Sequence, residues 1–161
     1  MVYGVIIEKD EKFYTHLEKL FCALDNMQQN YKWLISNHEC WPSTPSIQEI
    51  LKNEYCILSG QELTDIANTE DFQWIWGTFS AFEPDVSNED ILKHPLPKND
   101  MYGGFWELPL TMQHPLSKIE IVAWDATLTL IFTKDFSILE TLKKFYPKAE
   151  DLEIHNKENT L

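Results

Sequence analysis

The stretch Phe72-Gln73-Trp74-Ile75-Trp76-Gly77-Thr78-Phe79-Ser80-Ala81-Phe82 decides the fold. In a strand, successive side chains point to opposite faces. Phe72, Trp74 and Trp76 share one parity, while Ile75, Phe79 and Ala81 share the other. A strand apolar on both faces belongs in the interior of a sheet. Gly77, in its middle, predicts a bulge or a close backbone approach.

Working outward, Val2–Ile7 has the length and β-branched content of a strand. Asp10 then predicts a helix with Phe13, Leu17, Leu20, Phe21 and Leu24 on one face, which places Cys22 on the core flank. Tyr31, Trp33 and Ile35 read as a second strand, ended by Asn37. Thr44-Pro45 opens a short helix with Ile47, Ile50 and Leu51 as its buried stripe. Tyr55–Leu58 is a brief strand, and Ser59 with Glu62 forms a capping box for a helix through Leu63, Ile66 and Ala67.

Beyond the deciding strand, residues 83–115 carry Pro84, Pro95, Pro97, Pro109 and Pro115 with Gly103 and Gly104. They predict a long excursion, broken by a short helix near Asn88–Leu92 and pinned back by Phe105, Trp106 and Leu108. Lys118–Trp124 and Ala126–Thr133 form a hairpin around Asp125. A last helix starts near Asp135, buries Phe136, Leu139, Leu142 and Phe145, and stops before Pro147. The expectation is one α+β domain over residues 1–147, with a largely antiparallel mixed sheet of about six strands and helices mainly on one face. Residues 148–161 read as a polar C-terminal tail that frays.

The segments Gly4-Val5-Ile6-Ile7-Glu8, Tyr31–Asn37 with Glu39, Leu58-Ser59-Gly60 with Glu62-Leu63, Phe79 with Ala81-Phe82, and Glu120-Ile121-Val122 with Asp125 and Lys134-Asp135 occur in this order across most of the chain. Together they resemble an uncharacterised family of small Gram-positive bacterial proteins, a domain of unknown function. The resemblance implies kinship of fold and supplies no catalytic residues. The excursion is longer here and the tryptophan content heavier.

Charge restricts the function. Lys+Arg 13 against Asp+Glu 26 leaves −13, which repels phosphate backbones and anionic lipid, so neither nucleic acid nor membrane is an expected partner. The N-terminus has no signal-peptide pattern, and Cys22, Cys40 and Cys56 read as reduced thiols of a cytoplasmic protein.

No catalytic signature is complete. His38, Cys40 and Cys56 lack a fourth ligand for a structural zinc site. Cys40-Trp41 lacks the Gly-Ser context of papain-like proteases. His94-Pro95-Leu96 and His114-Pro115-Leu116 are either paired acid–base groups over a cleft or loop segments with exposed imidazoles. Glu83, Asp85, Glu89, Asp90 and Asp100 match no calcium loop and read as a solvated loop or a surface for a basic partner. Trp74, Trp76, Trp106 and Trp124 are core or pocket-lining, and Trp106, in a Gly-flanked loop, is the interface candidate.

The expected function is a non-enzymatic acidic protein-binding domain without cofactor or metal. Its concrete form is an immunity-type protein that neutralises a basic toxin through Trp106, Glu83, Asp85, Asp90, Asp100, His94 and His114. The alternatives are a small enzyme with a pocket beneath the excursion, using His94 or His114, and an oligomerising housekeeping domain.

Overall fold

The deciding strand does lie inside the sheet. In the computed structural model, which describes residues 1–160, Trp74–Phe82 (β4) is third in a seven-stranded sheet of order β3-β2-β4-β5-β6-β1-β7. The other strands are β1 (Tyr3–Ile7), β2 (Lys32–Cys40), β3 (Tyr55–Ser59), β5 (Ile119–Trp124), β6 (Leu128–Thr133) and β7 (Glu150–Asp151). Every neighbouring pair is antiparallel. The fold is α+β, with seven strands rather than six.

Both faces of the sheet are covered, by different means. Val5, Trp33, Ile35, Phe79, Ile121 and Ile131 face one layer made by α1 (Leu17–Ala23), α2 (Pro45–Leu51), α3 (Gly60–Thr69) and α5 (Phe136–Phe145). Ile6, Val122, Leu130 and Phe132 face the other way, onto Phe105 and Leu110 of the excursion and Leu152 of α6 (Leu152–Asn159). Leu34 and Phe82 meet Ile91 of α4 (Asn88–Leu92) on that same side. The excursion is therefore a lid of packed side chains, because a sheet apolar on both faces needs two covers. Leu110 is its inward anchor, whereas Leu108 is exposed.

Local chemistry explains several elements. Ser59 and Glu62 close the capping box of α3 in both directions, and the Asp135 carboxylate accepts the Ser137 N–H at the start of α5. Asp125 and Ala126 are both left-handed (φ 49° and 55°), which matches the twist of the β5–β6 hairpin. The irregularity expected at Gly77 falls on both strands: between Glu39↔Trp76 and Cys40↔Trp74 the extra residue is Ile75 of β4. The pairing of β2 with β4 shifts between Ser36↔Thr78 and Glu39↔Trp76, opposite Gly77, with Asn37 at φ 50°. Asn37 therefore bends the strand without ending it, and β2 runs on to Cys40.

Four further expectations need correction. The first helix begins at Leu17 because Asp10 and Thr15 have positive φ and Trp74 holds Thr15: the Trp74 N–H donates to the Thr15 carbonyl at 3.2 Å, and the Thr15 hydroxyl donates to the Trp74 carbonyl. Phe13 and Cys22 are consequently exposed. In α5 the buried residues are Ile138, Leu139 and Leu142, while Phe136 and Phe145 face out. The tail is built in: β7 pairs with Val5 and Ile6, the Asp151 carboxylate caps α6, and Leu152 is fully buried. Gly4 makes room for this docking, since a Cβ there would stand 2.9 Å from Leu110 Cδ1 and 3.0 Å from Leu152 Cβ. Leu161 of the expected tail lies outside the described residues.

Candidate functional site

The bulge brings Glu39 directly opposite Trp76 across the β2–β4 pair, on the sheet face covered by the excursion. Trp76 meets Trp124, at the end of β5, edge-on with ring centroids 5.0 Å apart. Trp106, which closes the 3₁₀ turn Gly103–Trp106, meets the same Trp124 at 5.6 Å and 87°. Trp76, Trp106 and Trp124 are all half-buried, whereas Trp74 belongs to the core. Edge-to-face geometry is the favoured arrangement of quadrupolar rings.

Acid flanks the band at both ends. Glu39 is exposed beside Trp76. On the other side His155 stands 6.4 Å from Trp106, and its Nδ1 lies 3.2 Å from Glu150 Oε2 and 3.9 Å from Glu8 Oε1. Glu8, Glu150 and His155 form the one grouping of metal-ligating type among the described residues. Lys9 already pairs with Glu150 and, with His155, holds that carboxyl below its ordinary range. A side chain thus supplies the cation there. His38, Cys40 and Cys56 do not converge.

No protein family, curated protein or solved structure matches this chain. The reading of the site therefore rests on its geometry.

The remaining candidates fall in separate places. Glu83, Asp85 and Asp90 are exposed around α4, where Asp90 pairs with Lys93 at 2.8 Å and Lys32 donates to the Val86 carbonyl at 2.6 Å. Asp100 is exposed at the other end of β2, where Asn99 bonds the Asn37 main chain at 2.7 Å. Lys32 and Asn37 are five strand residues apart, roughly 16 Å, so these carboxylates do not form one patch.

His94 and His114 do meet, with centroids 4.8 Å apart. The expectation of an exposed His114 is overturned, because the residue is fully buried. Its Nδ1 accepts the Leu116 N–H at 3.1 Å, so the ring proton sits on Nε2 and donates to the Ile91 carbonyl at 2.9 Å. Burial pushes the pKa of this imidazole down. Both nitrogens are engaged by the main chain, which leaves neither for proton transfer with a substrate. Burial pushes the Cys40 thiol up to about 12, which keeps it protonated at neutral pH.

Sequence reasoning singled out the tryptophans but not their mutual contact, and it passed over Glu39. The available signal was parity: Glu39 falls in phase with Trp76 only once a bulge is placed at Asn37.

Proposed function

We propose that this chain is a non-enzymatic, cytoplasmic, acidic protein-binding domain whose partner is a basic protein. Its concrete form is an immunity-type protein that covers the basic working surface of a toxin. One observation carries the reading: three half-buried tryptophans in edge contact, flanked by Glu39 on one side and by Glu8 and Glu150 on the other. Indole faces attract Lys and Arg side chains, and neighbouring carboxylates complement their charge. Tryptophan is also the side chain most enriched among residues that dominate binding energy. The net charge of −13 favours rapid encounter with a basic partner.

The test is to sequence the neighbourhood of this chain's gene for a basic toxin and to titrate that toxin, binding being followed by tryptophan fluorescence at several salt concentrations; a neighbourhood without one counts against the immunity reading. Trp76→Ala and Trp106→Ala should each weaken binding about tenfold or more, as truncated anchors do. Glu39→Lys should slow association and flatten its salt dependence. Wild-type affinity in all three variants would refute the assignment of the surface. A catalytic activity lost in His94→Ala would favour the small enzyme instead.

A further inference from the structure

The two edges of the sheet are finished differently. At one end β7 is two residues long, both acidic, and runs straight into α6. Short length and charge are the usual protection of an open edge against another strand. At the other end β3 is five residues long, Tyr55-Cys56-Ile57-Leu58-Ser59, with neither a charge nor a proline. Tyr55, Cys56 and Ile57 are half-buried and remain partly open to solvent.

The outer side of β3 carries unpaired main-chain groups. The Ser59 N–H is turned away from β2 and donates to Glu62 Oε1 at 3.1 Å. Main-chain groups alternate in direction along an antiparallel strand, which turns those of Tyr55 and Ile57 outward as well. Neither residue has a main-chain partner beyond the β2–β3 ladder among the described residues. Beside the strand, on the Ile57 side, lies a groove of about 460 Å³ whose lining includes Lys32, Ser59, Pro84 and Asn88.

We propose that β3 pairs antiparallel with β3 of a second copy, giving one continuous sheet across a two-fold axis centred on Ile57. The run is complementary to itself, as such an axis requires. The two Ile57 residues face each other and exchange main-chain bonds, while each Tyr55 N–H reaches the Ser59 carbonyl of the other copy. Each Tyr55 side chain then lies beside the groove at the other copy's Ser59. No charge within the paired run meets a like charge, and the apolar pairs suit a half-buried sheet face. A strand from a basic protein would bring cations to a run without a carboxylate. Glu62, the carboxylate of the groove, is committed to capping α3. A second copy is therefore the occupant that fits. The edge is separated from β4 by β2, and so pairing leaves the tryptophan band uncovered.

Each copy carries −13, so salt should strengthen the pairing by screening the repulsion. Sedimentation of the full chain should show a monomer at low salt and a dimer at high salt and high micromolar concentration. In that dimer, hydrogen exchange at the Tyr55 and Ile57 amides should slow about tenfold or more, while the amides of β7 exchange as in the monomer. In a Cys22→Ser background, a short bis-maleimide should join two Ile57→Cys chains much faster than two Glu140→Cys chains. Glu140 is exposed on α5, which packs on β1 and β6 away from this edge. Ile57→Lys sets two ammonium groups against each other and should stay monomeric at every salt concentration. The proposal is overturned by a chain that remains monomeric throughout, by a dimer whose Tyr55 and Ile57 amides exchange at the monomer's rate, or by equal cross-linking at the two positions. Protection of those amides by a basic protein but not by a second copy would overturn it too.

Discussion

The main-chain N–H of His114 donates to Glu120 Oε1 at 2.9 Å, so that a buried carboxylate on β5 holds the returning end of the excursion. The same carboxylate accepts the Gln113 N–H at 3.0 Å and the Ser117 hydroxyl at 2.8 Å. Removing it leaves buried donors without an acceptor. Glu120→Leu, although it suits the apolar face, should destabilise the protein by about 2–4 kcal/mol in a denaturant titration. Stability within about 0.5 kcal/mol of wild type would show that the carboxylate is dispensable.

Burial raises the pKa of Glu120 above the ordinary carboxylate value, against the opposing pull of its three donors. A raised folded-state pKa means that the folded protein holds this proton more tightly than the unfolded chain. The corresponding stability is present below the ordinary carboxylate range and is lost as pH climbs through the raised value. Thermal melts across that interval should fall less steeply with pH in Glu120→Gln than in the wild type.

Glu70 behaves in the opposite sense. Standing at the end of α3, it accepts the N–H groups of Ser43 and Thr44 at 2.9 and 2.8 Å and both of their hydroxyls, thereby tying the segment that leads into α2 to the end of α3. The Thr44 hydroxyl is the largest of the contacts that bring its carboxyl down to about 2. This stabilisation is present above the ordinary carboxylate range and is lost as pH falls toward about 2. Glu70→Ala should lower the melting temperature at neutral pH and make the acid limb shallower. An unchanged melt at pH 7 would show that this tie is dispensable.

Truncation after Ala149 tests the C-terminal segment. It removes the fully buried Leu152 and the bond from Asn156 Nδ2 to the Phe105 carbonyl, 3.0 Å long. Loss of a buried leucine alone is worth about 2–5 kcal/mol. The truncated chain should melt well below the full chain and should show brighter dye binding at the uncovered face. A fraying tail would leave both readouts unchanged.

With an excess of thirteen negative charges, the chain should not bind duplex DNA or single-stranded RNA at physiological salt. Anisotropy titration with labelled oligonucleotides checks this, and micromolar affinity with a steep salt slope would contradict it.

Patterns of short range were legible in the amino-acid order. Parity along Trp74–Phe82 placed that strand inside a sheet, Ser59 with Glu62 opened α3, Thr44-Pro45 opened α2, and Asp135 opened α5. Each depends on residues within a few positions of one another, where spacing and local hydrogen bonding suffice. Tertiary structure alone decided the rest. Residues 150–159 carry little apolar periodicity, and they are ordered because Gly4 leaves room for Leu152 and Phe105 offers Asn156 a carbonyl. His114 reads as a loop imidazole from its neighbours in sequence, and only the fold brings its Nε2–H to the carbonyl of Ile91, twenty-three positions away. The tryptophan band likewise joins residues distant in the chain. Their contacts exist only after sheet register, bulge and lid have been set together, because burial and hydrogen-bond satisfaction depend on the whole packed chain and not on any window of it.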